Sequence, residues 1–313
     1  SEKNLLFTDD ANKAKASGRN WMVWASKAGA KHQGATRVED GFLRSRGLGA
    51  ELVPPLSLVT DHQGIYYDPS QPSDLEDLIA QRVRLTGTQE RRAEDLLRSL
   101  VQSNLSKYNL GGETPDLPPG YRILVPGQVE DDASIQAGAG KIHTNLDLLR
   151  TTRTSNPDAV IIYKPHPDVE AGLRNGQIAT EGLADVVAHN SDPISLFDHV
   201  DELWTMTSLM GFEALLRGVK VTTLGTPFYS GWGLTQDLFK QPERRQARPN
   251  LLGLVHASLI DYPRYYDPIT GLPCPVEVAV RRLQNGEIPH PGLANRTLSK
   301  MQGVLATYSH LWR

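Results

Sequence analysis

Apolar residues along the chain fall into two regimes, with the change near residue 120. After it, short apolar runs alternate with amphipathic stretches. Strands are predicted at 122–126, 159–163, 186–188, 202–206 and 219–224, with helices between them at 144–152, 169–174, 193–200 and 209–217. That alternation predicts a parallel sheet covered on both faces, a Rossmann-like domain whose ligands sit beyond the carboxyl ends of the strands. Before residue 120 the pattern is weaker. It predicts strands at 21–25, 56–60 and 65–67, the last two joined by a turn at 61–64. Ser73 is expected to cap a helix with Asp74, Glu76 and Asp77 in its first turn and an apolar stripe of Leu75, Leu78, Ile79 and Val83. A second helix is expected at 89–105, and amphipathic helices at 276–284 and 298–305 close the chain. The segment GGETPDLPPG interrupts both periodicities and marks a domain junction. The expected division is an N-terminal domain at 1–117, a second domain at 118–270 and C-terminal helices at 271–313 that pack back across the first domain.

Composition changes this picture little. A length of 313 residues suits two ordinary domains. Lys and Arg number 33 against 36 Asp and Glu, so the formal net charge of -3 supplies no bulk positive field for nucleic acid and leaves room only for a local basic patch. Apolar runs such as 159–163 are far too short to span a bilayer. Cys274 is the single cysteine, which rules out an intramolecular disulfide and a thiolate-built zinc site and fits a reducing compartment. The opening SEKNLLFTDD has no basic stretch followed by an apolar core, so secretion is not expected and a cytoplasmic location is.

Candidate chemistry begins with absences. There is no G-x-x-x-x-G-K-[ST], no G-x-G-x-x-G after a strand, no H-E-x-x-H and no G-x-S-x-G, so triphosphatase, dehydrogenase, zincin and hydrolase readings lose support. What remains are polar residues just after predicted strands. Glu39 and Asp40 precede Gly41, with Arg44 and Arg46 close behind; paired acids repel and one is readily tuned into a base, while a solvated turn explains the same letters. Gln128 leads into Glu130, Asp131, Asp132 and Ser134, where catalytic carboxylates, a metal-binding cluster and a helix cap are all open. His166 is held between Pro165 and Pro167 just after Lys164, as a rigid donor to an anion or as a histidine satisfied by a carbonyl. Thr207 and Ser208 open the helix that carries Glu213, a place that favours a phosphate and a nearby ribose, or an ordinary helix cap. The loop PFYSGWG suits closure over a base or sugar, or simple loop packing.

Together the segments VEDGFLRSRGLG, GQVEDDASI, YKPHPDVEAG, TSLMGFEALLRG, GTPFYSGWGLT and YYDPITGLPCPVE resemble the KpsC-type retaining β-Kdo glycosyltransferases of bacterial capsule synthesis, with matches from Trp24 to Pro275. The resemblance implies a GT-B fold, two Rossmann-like domains with the site in the cleft between them, the first on the acceptor side and the second holding the donor. It implies transfer of Kdo, an eight-carbon 2-keto sugar acid, from CMP-Kdo to a Kdo-terminated glycolipid acceptor. The route is double displacement with no cofactor and no metal. By motif position Asp132 is the nucleophile, with Asp131 the alternative, and Asp40, beside Glu39, is the base. His166, Thr207 and Ser208 would meet the departing phosphate and Glu213 the ribose, while Gln128 and Ser134 orient the nucleophile or touch the sugar. Lys27, Arg44, Arg46 and Lys164 are the candidates for the Kdo carboxylate. The YYDPITGLPCPVE ending favours the C-terminal module of such proteins and a β-(2→7) over a β-(2→4) linkage. A second Kdo transferase module is the implied partner, and a lipid acceptor is compatible with peripheral contact at the inner face of the cytoplasmic membrane. A non-catalytic CMP-sugar or polysaccharide-binding module and a metal-dependent transferase using Glu130, Asp131 and Asp132 are the rival readings.

Overall fold

The computed structural model describes residues 6–46, 53–107, 109, 111–112, 114–172, 174 and 176–288. The 47–49 end of the VEDGFLRSRGLG segment and the expected helix at 298–305 lie outside them. A short helix, α1 (Ala11–Ala16), starts on the carboxylate of Asp10 and leads into β1 (Met22–Trp24), which pairs parallel with β2 (Thr36–Asp40). β3 (Ser57–Asp61) runs antiparallel to β2. The Ser73 hydroxyl accepts from the Glu76 N–H and opens α2 (Asp74–Gln81), whose Leu75 and Ile79 are buried as the apolar stripe requires. Val83 falls beyond the helix and is exposed. Thr86 and Gln89 form a capping box for α3 (Gly87–Gln102).

The expected hairpin between 56–60 and 65–67 does not form. Asp61 turns the chain away, its carboxylate accepting from the N–H groups of Gln63, Gly64 and Asp74 and from the Tyr262 hydroxyl. The free edge of β3 is taken by a strand from far along the chain.

The second half begins with β4 (Arg122–Pro126), followed by α4 (Ala133–Gly138), α5 (Asn145–Ser155), β5 (Val160–Lys164), α6 (Pro167–Glu170), β6 (Val186–Val187) and α7 (Pro193–Phe197). It continues through β7 (Glu202–Thr205), α8 (Leu209–Leu215), β8 (Lys220–Thr223) and β9 (Gln236–Asp237). All neighbours pair parallel, in the order β6-β5-β4-β7-β8-β9. This is the doubly wound order, and its strand sequence reverses between β4 and β7, the place where such sheets open a crevice. Parallel strands are covered on both faces, and Ile123, Leu124, Val125, Ile161 and Ile162 are all fully buried.

The chain then returns to the first sheet. α9 (Leu251–Val255) packs on α3, a π-helical turn at His256–Asp261 follows, and β10 (Pro263–Asp267) pairs antiparallel with β3 and with β11 (Leu272–Cys274). α10 (Val276–Asn285) packs against β10 and α3. The expected 118–270 boundary therefore places β10 in the wrong half, because its hydrogen-bonding partner is β3. The first sheet, β1-β2-β3-β10-β11, is also mixed rather than Rossmann-like: β3 follows β2 with no crossover helix, so the two run antiparallel. One large apolar core spans both halves, with Phe42 stacked on Phe228 at 4.5 Å between ring centroids. Among the described residues no helix is long and apolar enough to cross a membrane.

Candidate active site

The loops after β4, β5 and β7 face the end of β2 across a cleft of about 830 Å³, a volume suited to a ligand of nucleotide-sugar size. The three acids after β4 do not converge. Glu130 accepts from the Asn145 N–H at 2.7 Å, and Asp131 is exposed and ion-paired with Arg174 at 2.8 Å. Asp132 caps α4: its Oδ1 accepts from the backbone N–H and hydroxyl of Ser134 at 2.9 and 2.8 Å. Its Oδ2 accepts nothing among the described residues, and Asp132 lines the cleft. The helix-cap reading is thus correct and leaves one oxygen for chemistry. Among the described residues no group of three or more His, Cys, Asp or Glu is placed to hold a metal ion.

Behind Asp132 the polar groups form a chain. Gln128 Nε2 donates to Thr207 Oγ1 at 3.0 Å, and Thr207 Oγ1 donates to Ser134 Oγ at 3.4 Å. Gln128 Oε1 accepts from the Thr205 hydroxyl and the Thr207 N–H. With both ends engaged and the side chain buried, Gln128 ties the β4 loop to the β7 loop and orients Ser134 through Thr207.

His166 caps α6 with its ring, Nδ1 accepting from the Asp168 N–H at 3.1 Å. Burial lowers its pKa, so the ring is neutral near pH 7 and its proton sits on Nε2, away from the cap. Lys164 is buried beside Glu170, with Nζ 3.7 Å from Oε2, and burial lowers its pKa as well. Ser208 caps α8 through its hydroxyl, while its carbonyl accepts from the Tyr229 hydroxyl. A Cβ on Gly211 would collide with the Tyr229 ring, so glycine is required for that approach. Tyr229, Phe228 and Trp232 of the PFYSGWG loop are buried and pack between the halves, and Pro227 and Phe228 also line the cleft. Glu213 is buried, its pKa raised by desolvation, and its Oε1 accepts from the Lys107 N–H at 2.8 Å.

The acid pair on β2 divides its duties. Asp40 is locked to Arg44, Nε to Oδ2 at 2.5 Å, and Arg44 donates again to the Val53 carbonyl and the Ser45 hydroxyl. Arg44 is only 7% exposed, so this is an internal brace. Gly41 lets β2 end against β3, where a Cβ would strike the Ser57 side chain. Glu39 instead takes a single bond among the described residues, from the Asp40 N–H at 3.0 Å. Burial, reinforced by the charges of Asp40 and Asp132, raises its pKa from the ordinary 4.5 to about 7.

With this geometry in place, likeness to known proteins becomes informative. The family described as "Capsule polysaccharide biosynthesis protein" matches residues 14–111 and 114–265. The chain belongs to that family. It is 47% identical over 277 residues to capsule polysaccharide modification protein LipA of Neisseria meningitidis serogroup B, covering 86% of this chain and 39% of LipA. It is 48% identical over 255 residues to lipopolysaccharide-processing protein LpsZ of Rhizobium meliloti, covering 79% of this chain and 58% of LpsZ. The chain thus spans well under two thirds of the length of these relatives. Among solved structures it resembles Thermosulfurimonas dismutans KpsC, β-Kdo 2,4 transferase, with a TM-score of 0.77, 37% identity and coverage of 84% of this chain and 86% of that one. The β-Kdo 2,7 transferase of the same KpsC gives a TM-score of 0.75, 34% identity and coverage of 90% and 91%. A mixed α/β fold in the likeness of Kdo glycosyltransferases is therefore the setting of this capsule-family cleft.

Within it, Glu39, Asp40, Gln128, Asp131, Asp132, Ser134, Lys164, His166, Thr207, Ser208 and Glu213 all line one space. Three of the four carboxylate-binding candidates are not positioned there. Arg44 is spent on Asp40, Arg46 reaches the Leu283 carbonyl near α10, and Lys27 is exposed just past the lining residue Ser26. Two lining residues escaped sequence reasoning. Lys107 contributes positive charge felt by both Glu39 and His166, and Tyr67 is a phenol whose pKa is raised by burial and by Glu39 and Asp132. No motif surrounds either residue; only the fold brings them in.

Proposed function

We propose that the chain is a retaining β-Kdo transferase with a variant GT-B architecture whose first half carries a mixed sheet, the doubly wound half binding CMP-Kdo and the half bearing β2 receiving a Kdo-terminated glycolipid acceptor. The observation that carries this reading is the cleft itself: an Asp132 oxygen with no partner among the described residues shares the space that Glu39 lines, a carboxyl whose pKa is raised to about 7. Two carboxylates with separated roles are what double displacement needs. In the first step an Asp132 oxygen attacks the anomeric carbon, the bond to the phosphate oxygen breaks, and CMP leaves with the electron pair. The neutral His166 donates its Nε2–H to the developing phosphate charge, and Ser208 and Thr207 hold the same group. In the second step the acceptor hydroxyl attacks the adduct, the bond to Asp132 breaks with its electrons returning to the carboxylate, and the hydroxyl proton passes to a base.

Motif position gives that role to Asp40. The Arg44 brace favours Glu39, since it occupies the Asp40 side chain, whereas a carboxyl of pKa about 7 is matched to the task. Glu213 would hold the ribose. Lys164 and Lys107, which both line the cleft, are the cations assigned to the Kdo carboxylate. No metal is assigned a role. In this reading the protein works at the cytoplasmic face of the membrane, beside a second transferase module. For the linkage we favour β-(2→7) on the Tyr265–Glu277 segment, although the two solved transferases match the chain to a near-equal degree. Incubation with CMP-Kdo and a synthetic Kdo acceptor in excess chelator, with the product read by NMR, tests all of this. A β-linked Kdo product is expected; an α-linked product, or no transfer to any Kdo acceptor, removes the reading.

A further inference from the structure

The cations of this chain are unevenly placed. Residues 11–38 hold Lys13, Lys15, Arg19, Lys27, Lys31 and Arg37 and no Asp or Glu, a charge of +6 in a chain of net -3, which leaves -9 for the rest. Asp9 and Asp10 precede the stretch, and the Asp10 carboxylate is engaged as the α1 cap.

In the fold this stretch becomes one edge. β1 is the outermost strand of its sheet, α1 packs on the turn Ala30–His32, and the turn Ala25–Lys27 packs on β2. Lys13, Lys15, Lys27 and Lys31 are exposed, and none of them is ion-paired with a described residue. The edge runs into the cleft, because Trp24 and Ser26 line it and Lys27 follows directly. Trp24 is 38% exposed and Met22 56%.

We infer that this basic edge carries the part of an anionic saccharide acceptor that trails out of the cleft, behind the sugar that receives the new residue. The inference rests on the proposed transferase reading. An acceptor hydroxyl at Glu39 sits against the end of β2, so the remainder of the acceptor leaves along the first sheet, and the edge strand there is β1. Each Kdo residue bears one carboxylate, so a chain of them is a row of negative charges. Exposed lysines on flexible stems suit a ligand that must slide forward one residue at a time, since they attract without fixing one geometry. Trp24 at the mouth offers a flat apolar face to a sugar ring. Continuity with the cleft, which Trp24 and Ser26 line, favours a saccharide over a bilayer as the occupant.

The test is steady-state kinetics with synthetic Kdo mono-, di- and tetrasaccharide acceptors, comparing the wild type with a Lys13→Glu/Lys15→Glu/Lys31→Glu variant and its Lys→Gln counterpart. In the wild type KM should fall with acceptor length, and more steeply at low salt. In the Glu variant the tetrasaccharide KM should rise on the order of tenfold, as expected for losing several exposed pairings at once. The Gln variant should lie between, and the KM for CMP-Kdo should not move. If the wild type transfers to Kdo acceptors but shows no length effect, or the Glu variant keeps it, the edge is not an acceptor surface while the transferase reading stands. If no Kdo acceptor is used at all, the transferase reading itself fails. Loss of binding to phosphatidylglycerol vesicles with unchanged saccharide kinetics would make the edge a membrane contact and overturn the inference.

Discussion

Glu39→Gln separates what Glu39 does for the reaction from what it costs the fold. The side chain is taken out of water beside Asp40 and Asp132, and the shift from 4.5 to about 7 expresses the resulting preference for the neutral form. A rise from 4.5 to about 7 corresponds to about 3 kcal/mol, at about 1.36 kcal/mol for each tenfold change in the ionisation equilibrium. The folded pKa is the higher one, so the folded state loses stability as pH rises from about 4.5 through about 7 and carries the full cost above that. Glutamine is nearly isosteric and its Oε1 can still accept from the Asp40 N–H, but it never ionises. The variant should therefore be more stable than the wild type at pH 8, by roughly 1–3 kcal/mol once relaxation is allowed for, and equal to it near pH 4.5. Urea unfolding at the two pH values measures this. The same substitution removes the base, which typically costs 10²- to 10⁴-fold in rate. Transfer should fall by that factor while the enzyme still releases CMP, and intact-protein mass spectrometry should show a trapped Kdo adduct. In the wild type, transfer should rise with pH through about 7, and the variant should lack that limb. A stability gain equal at both pH values, or near-normal transfer, would refute the assignment.

Other substitutions probe the rest of the cleft. Asp132→Ala should abolish both adduct and transfer; if Asp131→Ala is the inactive variant instead, the nucleophile is misplaced by one residue, against the Arg174 pairing seen here. His166→Ala should raise the barrier to donor cleavage by roughly 2–4 kcal/mol, the usual worth of one charge-stabilising donor, with the fold intact by circular dichroism; unchanged kinetics would leave His166 only its helix-capping role. Arg44→Ala strands Asp40 and should destabilise by about 3 kcal/mol, at the low end for a broken buried pair because the Asp40 side chain is 19% exposed. Adding Asp40→Ala should recover part of that loss, and a double variant less stable than either single one would show that Arg44 acts through other contacts.

The two halves were unequally legible from sequence, and the reason is physical. β4, β5, β7 and β8 fall within a residue or two of their expected places because strands buried on both faces read as unbroken apolar runs bounded by turns. β2 spells Thr-Arg-Val-Glu-Asp, a polar string that becomes a strand only because β1 and β3 flank it. β10 opens with a proline and pairs with a strand about 200 residues earlier, a choice no local period encodes. The site shows the same division. The motifs delivered the right loops, since the carboxyl ends of parallel strands are where an α/β sheet puts ligands. How each acid is engaged was decided by partners that sequence does not reveal: Asn145 takes Glu130, Arg174 takes Asp131, and Arg44 takes Asp40.

A cleft that draws one carboxylate from each sheet works only if the sheets hold a fixed distance, because misplacement by an ångström can cost a hundredfold in rate. Two features supply that constraint. The Phe42 and Phe228 rings stack between the halves, one just past the acid pair and the other in the loop after β8. Beside them, the peptide at Lys107 acts as a clasp: its carbonyl accepts from the N–H groups of Arg44 and Ser45, and its own N–H donates to Glu213. The loop that holds Asp40 is thus joined through one residue to the helix that holds Glu213. Arg217, in the turn that follows this helix, reinforces the joint by donating to the Leu105 carbonyl. In the proposed reading, a ribose hydroxyl on Glu213 would meet a side chain already carrying this clasp, so donor occupancy and the placement of the acid pair would share one hydrogen-bonded path. The Lys107 side chain enters the cleft from that same residue. Its charge lowers the pKa of Glu39 and of His166 together, favouring the ionised base and the neutral ring, the protonation states that the proposed steps require of each.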